Sequence, residues 1–174
     1  MTEHFTWGVV LSKNSIGEAD SEYSIFTWDL GKVRARATSS RKITSKLAGH
    51  LEPGTFASVR LVRKSIEGRF RIIEALRESK IESLPLIKVF DFADKLIPLE
   101  EPDLKMFSFF KKAVFSGVIS EAKAYSSILK MSGFDPDTAR CGICGSRKIA
   151  YFSPQDIMFL CLPCLERRNN LKKE

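Results

Sequence analysis

The strongest constraint on this 174-residue chain is the placement of its four cysteines. They form two Cys-x2-Cys pairs near the C-terminus, Cys141-Gly142-Ile143-Cys144 and Cys161-Leu162-Pro163-Cys164, with sixteen residues between them. That spacing falls in the range of a four-thiolate zinc site. Each pair is expected to turn tightly and aim two sulfurs at one point. The residues between can run out and back as a hairpin, Lys148 to Phe152 and Ile157 to Leu160, turning at Ser153-Pro154-Gln155-Asp156. One tetrahedral Zn2+ held by Cys141, Cys144, Cys161 and Cys164 would be structural, because four protein ligands leave no position open for substrate. Two disulfides or a redox Cys-x2-Cys motif are the alternatives. Disulfides suit a secreted chain, yet Met1 to Trp7 has no charged segment leading into an apolar one. A redox motif needs no matched second pair, so the zinc site ranks first.

No stretch approaches the roughly eighteen apolar residues a membrane helix requires, and no membrane partner is expected. The formal net charge is +7, and it is unevenly spread. Residues 1–80 hold 14 Lys and Arg against 9 Asp and Glu, whereas residues 81–140 hold 8 against 9. A surplus in the first half suits a polyanionic partner, although a merely solvated basic surface gives the same count.

Alternation of bulky and polar residues predicts strands over Phe5–Leu11, Glu22–Trp28, Lys32–Thr38, Thr55–Lys64 and Arg69–Leu76. Ser12 to Asp20 reads as a loop, and Asp29-Leu30-Gly31 as a hairpin turn. Thr44 to Leu51, with leucines four apart and Pro53-Gly54 after it, reads as a short helix. Three strands, a helix and two strands is the order of the five-stranded OB-fold barrel, which binds oligonucleotides around its second and third strands. The third strand carries Lys32, Arg34 and Arg36 on its predicted outer face. Arg41, Lys42 and Lys46 follow, giving six cations within fifteen residues; Arg60 stands on the outer face of the fourth strand. These seven are the candidate nucleic-acid contacts. Tyr23, Phe26 and Trp28 are candidate stacking groups, at least two of which should be core.

Helical spacing follows over Leu84–Ile97, Asp103–Ser116 and from a cap at Ser120 to Met131, ending at Gly133. Their many phenylalanines fit a packed core more simply than a partner groove. The expected fold class is α+β: an OB-fold barrel over residues 1–80, then a small helical domain over 81–174 with the zinc element at 141–164. No phosphate-binding loop, zinc-protease motif or nucleophile elbow is present, and His4 and His50 are the only histidines. Nothing assembles a nucleophile with a base, so a non-enzymatic protein is expected.

Three stretches suggest kinship. The first is Gly8-Val9-Val10-Leu11 with Glu18-Ala19-Asp20, Ile25-Phe26-Thr27 and Gly31-Lys32. The second runs from Ser40-Arg41-Lys42 to Leu51-Glu52-Pro53. The third is Ile128-Leu129, Gly133-Phe134-Asp135-Pro136, Cys141-Gly142-Ile143-Cys144-Gly145, Phe152-Ser153-Pro154 and the last cysteine pair. Together they resemble the RecO family of bacterial DNA-repair mediators over nearly the whole chain. The sequence departs from the family at Thr38-Ser39-Ser40, where a small glycine-containing turn is usual. The resemblance implies binding to single- and double-stranded DNA and annealing of complementary strands. It also implies work with RecR to load RecA recombinase onto strands coated by single-strand-binding protein, in a bacterial cytoplasm and associated with the nucleoid. A protein-docking adaptor and an RNA-binding factor share the charge logic and remain as alternatives.

Overall fold

The computed structural model describes residues 1–40, 45, 47–65, 68–81, 83–117 and 119–171. It falls into two compact units, Met1–Ala124 and Tyr125–Glu174.

In the first unit five strands close a barrel: β1 (Thr2–Ile16), β2 (Asp20–Thr27), β3 (Gly31–Ala37), β4 (Thr55–Arg63) and β5 (Phe70–Lys80), in the order β1-β2-β3-β5-β4. All neighbours are antiparallel except β3 and β5, which pair in parallel at Ala35–Phe70 and Arg36–Arg71. This is the OB-fold expected from the element order. Alternation decides which side chains fill it. Val33, Ala35 and Ala37 of β3 point inward beside Tyr23 and Ile25 of β2 and Ala57, Val59 and Leu61 of β4. Of the three candidate stacking aromatics, Tyr23 and Phe26 are fully buried and Trp28 is exposed.

Two local expectations change. Residues Ser12 to Ile16 are strand rather than loop, because their backbone pairs with β2 from Ser12–Ser24 to Ile16–Asp20 across a tight turn. The helix read over Thr44–Leu51 is, among the described residues, a single 3-10 turn at Ala48–His50; Thr44 and Lys46 lie outside them. At the departure from the family pattern, Ser39 takes φ +55°, the left-handed region where glycine is at ease. Its N–H donates to Asp20 Oδ1 at 2.7 Å, which helps hold that conformation.

Two helices, α1 (Leu84–Leu96) and α2 (Leu104–Ser116), lie against the outside of the barrel. The sequence reading puts a domain boundary at 80/81, whereas both helices belong to the barrel's compact unit. The reason is their apolar faces: Leu86, Val89, Phe90 and Ala93 of α1 are buried. Phe110 of α2 packs edge-to-face against Phe26 of β2 and Phe90 of α1, both at 5.4 Å between ring centres. The phenylalanines therefore make a core between helices and barrel wall. Asp103 caps α2, accepting from the N–H groups of Lys105 and Met106, and Gly117 ends it with φ +62°. Gly31, at φ +68°, admits the α1–α2 connection so closely that a Cβ there would collide with the Glu101 carbonyl group.

Asp94 of α1 anchors this arrangement. Its carboxylate accepts from Ser12 of β1 at 2.7 Å and Ser24 of β2 at 2.5 Å, and lies 3.5 Å from the Lys32 ammonium of β3. Lys32 also donates to the Asp94 carbonyl oxygen at 2.5 Å and is only 4% exposed. Burial pushes its pKa below the ordinary lysine value, with Asp94 pulling the other way.

The second unit begins within α3 (Glu121–Met131), closed by a Schellman turn in which the Phe134 N–H reaches the Leu129 carbonyl at 2.8 Å and Gly133 takes φ +85°. It continues with the hairpin of β6 (Ile149–Ser153) and β7 (Met158–Cys161) and with α4 (Leu162–Leu171). The hairpin follows the sequence reading; α4 was not foreseen. No helix among the described residues is long and apolar enough to cross a membrane.

Replacing Asp94 with Ala strands the Lys32 ammonium in the barrel wall and should cost about 3–5 kcal/mol. Thermal unfolding followed by tryptophan emission reads this directly, since both tryptophans lie in the barrel unit. The folded state holds the Lys32 proton less tightly than the unfolded chain does. The deficit should therefore shrink as pH rises toward the ordinary lysine range. A deficit that does not shrink on raising the pH would show that the buried charge is not its cause.

Candidate metal centre and nucleic-acid interface

The cysteine sulfurs converge although they come from distant positions. Cys141 and Cys144 sit on a turn held by the Gly145 N–H to the Cys141 carbonyl at 2.8 Å, with Gly145 at φ +71°. Cys161 ends β7, and Cys164 lies in the first turn of α4, where Pro163 is suited to helix initiation. The Gly142 N–H donates to the Phe159 carbonyl at 2.9 Å and so ties the first knuckle to the hairpin.

All four sulfurs lie within 4.8 Å of one another, with Cys144 Sγ and Cys161 Sγ 3.5 Å apart. Four thiolates about 2.3 Å from one tetrahedral ion stand about 3.8 Å apart, so the donor set fits a metal ion at its centre. None of the four is in a disulfide. Backbone N–H groups of Cys161 and Cys144 lower the Cys141 pKa to about 6, so this sulfur is ready to act as a thiolate. Hydrogen bonding to the Cys161 thiol, with burial, raises Cys164 to about 12. Without a cation the cluster cannot ionise fully; a divalent ion removes that conflict. Cys141, Cys161 and Cys164 are also core residues, packed with Leu160 and flanked by Met158 and Leu165. A metal ion here would fasten the structure around it and leave no coordination position open for reaction.

The predicted DNA contacts divide sharply. Arg34 and Arg36 point outward from β3 and are exposed. Arg36 is clamped by Asp20, whose carboxylate accepts from Nε at 2.9 Å and from Nη2 at 2.5 Å. The Ser39 N–H and then Arg36 hold the Asp20 carboxyl below its ordinary pKa. Arg34 makes no ion pair among the described residues. Lys32 departs from its expected place on an open face: it points outward from the barrel, but α1 covers it and Asp94 pairs it. Arg60 stands on β4, paired with Glu3 and lying over the Phe5 ring at 5.2 Å. It is therefore separated from the β3 arginines by β5. Arg41, Lys42 and Lys46 lie outside the described residues.

One cation was missed. Arg71 of β5 is the parallel partner of Arg36, is exposed, and also acts on the Asp20 charge. Arg34, Arg36 and Arg71 thus share one outward face across β3 and β5. The pairing joins positions 35 residues apart, and only barrel closure reveals it.

The chain has recognisable relatives. Residues 1–77 match the family model described as the N-terminal part of recombination protein O. The DNA repair protein RecO of Dehalococcoides mccartyi strain CBDB1 is 30% identical, with 91% of this chain and 69% of that protein covered. The protein of the same name from strain 195 is 29% identical over the same shares. That of Thermodesulfovibrio yellowstonii is 24% identical, again over 91% and 69%.

Cys144→Ser, or stripping metal with a strong chelator, should unfold the unit of residues 125–174 while the barrel keeps its own core. Structural metal supplies about 10–16 kcal/mol of apparent binding free energy in finger-sized peptides, and here three of the four ligands are buried with Leu160. Hydrogen exchange should show that protection disappears in this unit alone. Acid should release metal, because protons compete for the thiolates. Affinity should fall as pH drops toward and below about 6, where even Cys141 takes up its proton. Metal content independent of pH across that interval would contradict thiolate ligation.

Proposed function

The chain belongs to the RecO family, and we propose that it is a non-enzymatic DNA-binding protein of recombinational repair that anneals complementary strands. Its barrel would bind single- and double-stranded DNA, and with RecR it would help load RecA recombinase onto strands covered by single-strand-binding protein. Its place would be the bacterial cytoplasm, on nucleoid DNA. The metal would be one structural Zn2+ on Cys141, Cys144, Cys161 and Cys164, which suits four thiolates in a closed site.

The observation that carries this reading is the outward face shared by Arg34, Arg36 and Arg71 on an OB-fold barrel. Guanidinium groups hold phosphate oxygens with two parallel hydrogen bonds. The neighbouring strands of a barrel space them regularly along a path that a nucleic-acid backbone can follow. Arg41, Lys42 and Lys46 extend the same run in sequence. Asp20 and Glu22, the latter opposite Arg36 on β2, do not cancel the face: two carboxylates against three arginines leave a cationic surplus. Lys32 takes no part in binding, since its charge is already paired with Asp94. Arg60, on the strand next to the one that carries Arg71 and held by Glu3, would contribute less than an unpaired arginine.

Strand annealing by the purified protein, with and without Arg34→Ala, Arg36→Ala and Arg71→Ala together, is the direct test. Removing one phosphate-binding arginine should reduce the slope of log affinity against log salt by about 0.7 for single strands. The triple variant should anneal poorly while melting at the temperature of the parent. Lys32→Met, by contrast, should alter stability and leave the salt slope alone. Unchanged annealing and slope in the triple variant would sink the proposal.

A further inference from the structure

Both tryptophans of the chain come together at one end of the barrel, away from the cysteines in sequence and unused by the arginine face. Trp7 lies on β1, and Trp28 follows β2; the Trp28 N–H donates to the Trp7 carbonyl at 2.9 Å. Between them run two phenylalanines from different elements. Trp7 lies parallel to Phe56 of β4, with ring centres 5.5 Å apart and planes within 3°. Phe56 leads to Phe107 of α2 at 6.2 Å, and Phe107 meets Trp28 edge-to-face at 5.3 Å. The four rings line a cavity of about 420 Å3, together with Lys111 and Glu78. That size lies within the range of small-molecule sites.

The burial of these rings is unequal. Phe56 and Phe107 are 2% and 3% exposed, as expected of core. Trp7 and Trp28 are 41% and 49% exposed. Two large, flat, half-open indoles on a floor of buried phenylalanines are costly to leave facing water. A barrel that needed only a core at this end could fill it with aliphatic residues. The polar lining narrows the choice of occupant. Lys111 carries one positive charge, 5.3 Å from the Phe56 ring centre, and Glu78 one negative charge. The cavity is therefore close to neutral and would not hold a phosphate by itself. It suits a flat, uncharged group with polar edges, for which Lys111 can donate and Glu78 accept hydrogen bonds.

We propose that this cavity receives an unstacked base of single-stranded DNA, with Trp7 and Trp28 as its stacking walls. The inference rests on the DNA-binding reading and deepens it. The cavity's position on the same barrel as the arginine face supports it. Trp28 opens the turn that leads into β3, and Arg34 lies three residues past Gly31, about 10 Å along that strand. The outward β3 position between them, Lys32, lies under α1 and beside Leu99, so a strand whose phosphates follow Arg34 and Arg36 would pass outside the α1–α2 connection to bring a base to Trp28. A duplex hides its base faces, so the cavity would distinguish single strands from the paired product.

The two tryptophans make the test specific, because intrinsic emission comes from this cavity alone. Full-length protein is titrated with labelled oligothymidylate, and with the matching duplex, while probe anisotropy and tryptophan emission are both recorded. Single strands should change the emission in step with the anisotropy; the duplex should bind with little emission change. Trp28→Leu and Trp7→Leu should each weaken single-strand binding about tenfold, the effect of removing one stacked base. Duplex affinity should stay within about twofold. Trp28→Phe, which keeps a flat ring, should recover most of the loss. Lys111→Gln, on the exposed side of α2, should weaken single strands selectively if the leucine variants misfold.

Anisotropy showing normal single-strand binding, with no emission change and unchanged affinity in these variants, overturns the cavity and leaves DNA binding standing. Anisotropy showing no binding of either probe overturns both. An emission shift that depends on protein concentration and not on DNA would make the cavity a contact between copies, and overturns the assignment.

Discussion

The carboxylate of Asp94 decides how the barrel is dressed. One side chain on α1 is bound to Ser12, Ser24 and Lys32, and so to three adjacent strands. A buried ion pair adds little net stability over apolar residues of the same shape, because two charges must leave water. What it supplies is position. Any shift of α1 along the barrel leaves the Lys32 ammonium without its carboxylate, a far worse state than the native one. Phe90 and Phe110 contribute area to the same interface, but apolar packing tolerates small slips that a buried charge does not. With α1 fixed, the outer surface of β3 is divided. Lys32 is under the helix, while Arg34 and Arg36 remain in water. One alternating strand thus sends the same chemical type of side chain to two different fates.

The other unit solves a different problem. Residues 125–174 are too few for a substantial apolar interior, and the buried cluster around Leu160 consists largely of cysteine. Burying thiols beside one another would make a poor core without a cation, as the opposed pKa shifts of Cys141 and Cys164 indicate. With a metal the conflict becomes the strongest interaction in the unit. Secondary structure then follows from ligation: Gly145 lets the first knuckle close, the hairpin returns the chain, and α4 starts where Cys164 must point inward. Arg168 of α4 pairs with Asp156 of the hairpin turn at 2.5 Å, an interaction that only a folded hairpin can offer.

What could be read from the sequence was whatever depends on neighbours along the chain. Val33-Arg34-Ala35-Arg36-Ala37 announces its inner and outer faces by alternation alone, and the two cysteine pairs announce by spacing that their sulfurs converge. Most of the failures involve partners on another element. Lys32 obeys the alternation and still ends up buried, because covering it is the work of a helix sixty residues later. Arg71 looks like an ordinary strand residue until β5 closes against β3. Ser12 to Ile16 is polar enough to pass for a loop; only the register against Asp20 to Ser24 makes it strand. Cys161-Leu162-Pro163-Cys164 reads as a second knuckle like the first, although Pro163 is as good a sign of helix initiation. The tryptophans are visible as aromatics, yet their meeting depends on β1, β4 and α2 converging at one end of the barrel.

An annealing protein faces a thermodynamic difficulty that these features can resolve. Phosphate contacts are nearly indifferent to pairing. A protein bound by them alone would hold the duplex product as firmly as the strands and would release it slowly. Stacking differs, since base faces exposed in a single strand are covered in a duplex. If part of the single-strand affinity comes from Trp7 and Trp28, pairing removes that part and leaves only the contacts of Arg34, Arg36 and Arg71. A tenfold difference corresponds to about 1.4 kcal/mol, enough to bias release without weakening capture. The arginine face would then gather strands and the tryptophan cavity would let the finished duplex go. Both functions would depend on the helices keeping their places on the barrel, because α2 supplies Phe107 and Lys111 to one site and α1, fixed by Asp94, keeps Lys32 out of the other.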